Sequence, residues 1–360
     1  MYYYDTITNE ALFAEHASRV DAQSFDTLYQ SDTFQHGVSR WDTAHLFASR
    51  VICASPGRRL ALFDDADFPR SAKGVHDCID RLVDGPAAGF GDQYEPWIVQ
   101  RHQPESLGYT WAALARLLHA QGAIAPQVER PQRERPQRER QSVTFQGYTS
   151  SADMRVGSSS PSGSATGDSS AESAGGLGWV ERISSAPLED LTVRLASCFI
   201  RYSPKKQVQA TDDGGLQVCR DSEFVQVAML EGKRAFQQFS IQGKPTVPDK
   251  TLGQLVGQAL AQRLDRSTGT ISQTDRITIL AVAHYVKFFN FRTTSEFIKE
   301  YETKPLPATH YLRVSSTHWF DLAAIEDRKR VVKHILAMLA WAGKQQGGDG
   351  DGDGDESMEG

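Results

Sequence analysis

The chain has 360 residues, is 39% hydrophobic and carries a net charge of −6, which allows two domains of ordinary size with cores of modest extent. Its longest apolar stretch, residues 277–291, is interrupted by His284, Lys287 and Asn290, short of the roughly 18 apolar residues that a membrane span needs. The opening MYYYDTITNE lacks the basic and apolar pattern of a secretory leader. No membrane span is expected, and the chain is predicted to be intracellular, cytoplasmic or nuclear, and not secreted.

Cys53, Cys78, Cys198 and Cys219 lie far apart, with no CxxC pair and no His at finger spacing, so free thiols are expected rather than a zinc site or a disulfide framework. Charge is unevenly spread. Residues 1–125 hold 10 basic and 16 acidic groups, whereas residues 181–345 hold 23 basic and 17 acidic ones. A basic stretch inside an acidic protein suits a polyanionic partner such as nucleic acid.

In chain order, residues 42–54, 71–83 and 107–121 are predicted helices, the first on Leu46, Phe47 and Val51, the second on Val75, Cys78, Ile79 and Leu82. Pro56-Gly57, Gly85-Pro86 and Gly89 to Gly91 divide the region into short pieces. Residues 1–125 are therefore expected to form a mostly helical N-terminal module, separate from the rest and a candidate surface for a protein partner. Asp64, Asp65 and Asp67, just before Pro69, read as a solvated turn rather than a divalent-cation site. Residues 126–180 begin with the repeat in ERPQRERPQRER and continue as a Ser/Gly/Ala-rich run. Neither part can bury a core, and a disordered linker is predicted. Residues 346–360, with their Asp-Gly alternation, read as a disordered acidic tail without EF-hand ligand spacing.

Residues 181–345 are different in character. An amphipathic helix over 187–202 aligns Leu188, Leu191, Leu195, Cys198, Phe199 and Tyr202 on one face. Strands are predicted at 207–211, 215–220 and 224–233, the last two forming a hairpin across Asp221-Ser222-Glu223. A helix over 249–265 follows, packing through Leu252, Leu255, Val256, Ala259 and Leu260. Strands at 276–283, 285–291 and 311–315 and a closing helix over 322–341 complete the pattern. The expected fold class is α/β, with a mixed central sheet flanked by helices.

The hairpin brings particular residues together. With its turn near Ser222, the mate of Glu231 is near Asp213. Glu231 and Lys233, two apart on a strand, face the same way, and Gly232 between them leaves its carbonyl accessible. Asp221 would lie on the order of 30 Å from this group. Two carboxylates and a carbonyl (Asp213, Glu231, Gly232) can hold a hard Mg²⁺ ion, and Lys233 can orient a water or stabilise transition-state charge. A one-residue shift of register would put Asp212 in place of Asp213.

TDDG, an intervening hairpin and then LEGKR resemble the signature of the PD-(D/E)XK nucleases. A second E-x-K, Glu302 to Lys304, precedes Pro305 and Pro307 and does not end an apolar strand. The resemblance covers residues 181–345. It implies a restriction-endonuclease-like fold and an Mg²⁺- or Mn²⁺-dependent nuclease acting on DNA or RNA. On it, Asp213 and Glu231 are metal ligands, Lys233 is the catalytic lysine, and Glu189 is similar in placement to the accessory acid of some members. Asp212 stands where the signature has Pro. Gln254, Gln258 and Gln262 form a stripe on the 249–265 helix that is either a solvated face or an accessory feature like the Gln-bearing helix of several nuclease families. The MLEGKR and LGQLVGQALA segments together resemble a large group of fungal proteins assigned to this fold. A catalytically inactive nuclease-like binding module and a protein-interaction scaffold are the alternative readings. His284, His310, His318 and His334 lack metal-ligand spacing and are expected to be structural or on the surface, and Arg328 to Arg330 with Lys333 form a basic helix face.

Overall fold

The computed structural model describes residues 2–30, 37–71, 73–74, 77–86, 89–102, 104–122, 189–201, 208–211, 214–220, 223–236, 245–265, 271–301 and 309–347. The expected linker, and the acidic tail from residue 348, lie outside them. The described residues before 125 and after 178 form one compact unit.

The N-terminal part contributes helices α1 (Tyr3–Thr6), α2 (Glu10–Arg19), α3 (Phe25–Tyr29) and α4 (Thr43–Ala48), strand β1 (Val51–Cys53), and helices α5 (Asp77–Asp84), α6 (Glu95–Arg101) and α7 (Glu105–Gly122). After these come helix α8 (Glu189–Arg201), strands β2 (Val208–Thr211), β3 (Gly215–Arg220) and β4 (Glu223–Lys233), and helix α9 (Asp249–Leu264). Strands β5 (Asp275–Val282) and β6 (Tyr285–Arg292), helix α10 (Ser295–Tyr301), strands β7 (Leu312–Ser316) and β8 (Phe320–Asp321) and helix α11 (Ile325–Gly347) complete the chain. The predicted boundaries from residue 187 onward agree with these to within three residues, except that α11 runs six residues past its predicted end at Trp341. Helix α10 and strand β8 were not expected, and α11 takes the first two residues assigned to the tail.

One mixed sheet runs β1-β7-β6-β5-β4-β3-β2, with β8 paired to β6. Strands β2, β3 and β4 form an antiparallel meander, and β4 then pairs parallel with β5. A parallel neighbour requires a crossover, and α9 supplies it. Strands β5 and β6 each have five apolar residues of eight and are buried along nearly their whole length, as strands covered on both faces must be. They are joined by two residues, Ala283 and His284, with Ala283 at φ 50°, the left-handed backbone that a tight hairpin demands.

Side-chain alternation along β5 sorts the interior into two layers. Ile277, Ile279 and Ala281 join a core with α5, α6, α7, α8 and α11, while Leu280 and Val282 join a second with α1, α2, α4, α9, α10 and β1.

The expectation of a separate N-terminal module is therefore corrected. Its helices supply part of both cores, and β1 is an edge strand of the same sheet, pairing parallel with β7 from Val51↔Leu312 to Cys53↔Val314. The helix expected over 42–54 ends at Ala48; Arg50, at φ 52°, turns the chain into β1. Arg50 is buried and donates to the Glu300 carbonyl at 3.1 Å, tying this turn to α10. Trp41 lies on α9, where a Cβ added to Gly253 would come within 2.9 Å of the Trp41 backbone carbonyl. Side chains at that position would hold the two segments apart.

Two smaller readings also change. Asp67 is buried, with Lys344 2.6 Å from Oδ1, so the Asp64 to Asp67 turn is not fully solvated. Arg328 is no part of an open basic face: it is buried and donates to the carbonyls of Val83, Asp84, Leu322 and Ala323 at 2.8–3.0 Å. Of the histidines expected to be structural or on the surface, His284 lies 3.4 Å from an Asp321 oxygen, His310 lies 3.0 Å from a Glu300 oxygen, and His334 bonds the Arg330 carbonyl at 2.7 Å and stacks on Phe288. Cys53, Cys198 and Cys219 form no disulfide, and no helix among the described residues is long and apolar enough to cross a membrane.

Lys287 is a polar group inside the second core, 2% exposed. Its ammonium donates to the Thr317 carbonyl and lies 5.2 Å from the ring centre of Tyr4. Burial lowers its pKa from 10.5 to about 7. Between those values the unfolded chain binds a proton that the folded chain does not, so stability rises with pH from 7 upward. Cys53, whose pKa is raised by burial from 9.0, opposes this above pH 9. Urea denaturation should show stability increasing from pH 7 to pH 9 by up to about 1.4 kcal/mol per pH unit, and Lys287→Met should flatten the rise. A variant with an unchanged slope would assign the ionisation to another group.

Candidate active site

Strand β4 ends with Glu231, Gly232 and Lys233, and alternation sends Glu231 and Lys233 to one face and the Gly232 position to the other. The two side chains are partly buried, 13% and 22% exposed. On the Gly232 side α8 presses close: an added Cβ would lie 2.3 Å from Val193 Cγ2. The glycine thus serves the approach of a helix, a reason the sequence reading, concerned with its carbonyl, did not contain.

Helix α9 covers the Glu231 face. Gln254 and Gln258, one turn apart, fall on one stripe. Glu231 Oε1 accepts hydrogen bonds from Lys233 Nζ at 2.7 Å and Gln254 Nε2 at 2.8 Å, and Oε2 accepts one from Gln258 Nε2 at 2.9 Å. Lys233 also donates to Gln254 Oε1 at 3.0 Å, which closes a ring of three side chains. Bonds to ionised groups are the stronger kind, and here they fix both charges against a helix and a strand. The stripe is thus not a solvated face. It continues to Gln262, which donates to Gln226 of β4 at 2.9 Å, so α9 runs antiparallel to β4 along a row of amides.

Glu189, the first residue of α8, approaches from the opposite layer. Its carboxylate lies 3.8 Å from Lys233 Nζ and 3.8 Å from Arg234 Nε. Arg234 was not foreseen; nothing in the E-x-K spacing marks the residue after the lysine. Of the residues expected at the site, Glu189, Glu231, Gly232, Lys233, Gln254 and Gln258 come together at one end of β4. Asp212 and Asp213 lie outside the described residues.

The flanks of that acidic pair are described. Thr211 pairs with Gly215, and Gly215, at φ 100°, is pressed so closely on β4 that an added Cβ would meet the Ala228 carbonyl oxygen at 2.0 Å. A bulge between Leu216 and Gln217 shifts the β3–β4 register, from Gln217↔Gln226 to Leu216↔Ala228. One extra β4 residue is thereby fed toward the site end of the hairpin.

Among the described residues no group of three His, Cys, Asp or Glu could hold a metal ion. The nearby donors are all oxygens: the Glu231 and Glu189 carboxylates and the amide oxygens of Gln254 and Gln258. Gln258 Oε1 is buried without a hydrogen-bond partner. An all-oxygen set with a spare acceptor fits a hard cation such as Mg²⁺ or Mn²⁺ in kind, and needs one further carboxylate in number.

The packing of α8 on Gly232 can be checked directly. Gly232→Ala should destabilise the protein by about 1–3 kcal/mol, and adding Val193→Ala should recover part of that loss in a double-mutant cycle. Additive losses would show that the glycine is not there for the helix. No family model, curated protein or solved structure matches the chain.

Proposed function

We propose that this protein is a metal-dependent nuclease of the PD-(D/E)XK type, hydrolysing phosphodiester bonds in DNA or RNA, with a restriction-endonuclease-like arrangement in residues 189–347 that β1 and the N-terminal helices complete. The observation that carries the reading is the convergence of Glu231, Lys233, Gln254, Gln258 and Glu189 at the end of β4. The element order supports it as well: a helix, a three-strand antiparallel meander ending in E-x-K, a Gln-bearing helix and a strand parallel to the E-x-K strand. Open α/β sheets tend to place ligands just beyond the carboxyl ends of their strands, and Lys233 and Val282 are paired at such an end.

On the resemblance, Asp213 supplies the second carboxylate, with Asp212 as the alternative. Glu231 and Asp213, with the Gly232 carbonyl, would hold Mg²⁺ or Mn²⁺, which when bound polarises the scissile phosphate and makes a water nucleophilic. Gln254 and Gln258 keep the Glu231 carboxylate in one orientation. The Lys233 ammonium, fixed between Glu231 and Gln254, is positioned to donate to an incoming water or to a phosphate oxygen that gains charge.

A second reading, a nuclease-like module that binds nucleic acid without cutting it, draws on one fact. Both Glu231 oxygens are already satisfied by three donors of the chain itself, an arrangement that stands without a metal.

Incubation with plasmid DNA, single-stranded DNA and RNA distinguishes the readings. Cleavage is expected only with Mg²⁺ or Mn²⁺, and Glu231→Ala and Lys233→Ala should each slow it by about 100-fold or more. Asp213→Asn should do the same, and Asp212→Asn should not. Activity that survives both Glu231→Ala and Lys233→Ala would remove these residues from the reaction, and salt-sensitive binding without turnover would favour the binding module.

A further inference from the structure

The sheet face that carries Ile277 and Phe288 changes character toward the start of β5. Asp275 is paired with Arg292, Arg292 with Arg313, and Asn290 with Ser315. Directly opposed residues share a face, so a polar patch continues the apolar layer. It forms the floor of a cleft of about 550 Å³, with Leu62, Asp67, Trp341 and Lys344 among its walls. By register, Asp275 stands seven residues from Val282, the partner of Lys233, or roughly 23 Å away along the strand. This cleft is separate from the candidate active site.

Most of its polar groups are satisfied within the chain. Asp275 accepts from Asn290 Nδ2 at 2.8 Å and from the Thr274 hydroxyl at 2.6 Å. Asp67 faces Lys344 at 2.6 Å, and Arg313 donates to Glu10 at 2.6 Å. Two groups stand apart. Arg292 is exposed, and no hydrogen bond or ion pair is formed by its guanidinium with a described residue. Asn290, only 5% exposed, has its Oδ1 buried without a partner, because its amide nitrogen is committed to Asp275. An unpaired buried acceptor costs about 1–3 kcal/mol, and a free guanidinium is a fork for phosphate or carboxylate.

We propose that this cleft binds a small molecule that carries an anionic group for Arg292 and an N–H donor for Asn290 Oδ1, namely a nucleoside 5′-monophosphate. The two protein groups lie two residues apart on one face of β6, about 7 Å along the strand, and side-chain reach from Arg292 widens that span. The volume lies in the range of small-molecule sites, and Trp341 adds an aromatic wall. Inorganic phosphate would meet only the guanidinium, and a nucleoside only the amide oxygen.

Calorimetric titration of the full-length chain with each of the four nucleoside 5′-monophosphates, with adenosine and with inorganic phosphate tests this. At least one monophosphate should bind saturably at one site per chain, with adenosine and phosphate about tenfold weaker or more. Arg292→Gln, a change at an exposed position, should weaken that monophosphate by about tenfold, and Lys233→Ala should leave its affinity unchanged. No saturable binding by any of the four, or equal affinity in Arg292→Gln, would overturn the proposal. Loss of binding in Lys233→Ala would overturn it too, since the nucleotide would then sit at the candidate active site.

Discussion

A carboxylate at the end of a strand, 13% exposed and next to a lysine, cannot stand without partners: its desolvation has to be offset by hydrogen bonds and opposite charge. Glu231 meets that demand with Lys233 from its own strand and two amides from α9, and this requirement organises much of the molecule. Helix α9 must lie where Gln254 and Gln258 reach the strand. That position is held from behind by Leu252, Leu255, Val256 and Leu260, which pack in the core shared with α1, α2, α4 and β1. The first half of the chain therefore supports the site, although none of its described side chains bonds to Glu231 or Lys233.

Alternation divides the labour at the strand end. Glu231 and Lys233 face α9, and the absent side chain of Gly232 lets α8 approach until Glu189 comes within 3.8 Å of Lys233. Two helices from opposite layers thus converge on one lysine. The bulge in β3–β4 adds one β4 residue between Gln226 and Ala228 on the way to the same strand end. The polar cleft near Asp275 lies at the other end of the same strands. One sheet thus carries concentrated polar groups at both ends, and its apolar middle keeps them apart.

Much of residues 189–347 was legible in the sequence because its signals are local. The helical period of Leu191, Leu195 and Phe199, the apolar runs of β5 and β6 and the E-x-K strand each fit in a short window, and spacing alone brought Glu231 and Lys233 to one face. The role of Gln254 and Gln258 was half legible: their i, i+4 stripe was visible, but its direction depended on what covered the helix elsewhere. The place of the N-terminal region was not legible. Strand β1 is three residues long and follows a helical pattern, and a parallel edge strand exists only by virtue of β7, about 260 residues later in the chain. The closeness of Gly232 to Val193, and of Gly253 to Trp41, is likewise a property of the packed structure.

Whether the Glu231 group is a cation site can be asked without any substrate. Direct Mn²⁺ binding, read by electron paramagnetic resonance on the intact chain and on Glu231→Gln, addresses it most simply, because the glutamine keeps the shape of the side chain and removes its charge. One bound ion per wild-type chain, displaced by Mg²⁺ and lost in the variant, is the result this account requires. Failure of the wild-type chain to bind Mn²⁺, or equal binding by the variant, would contradict it.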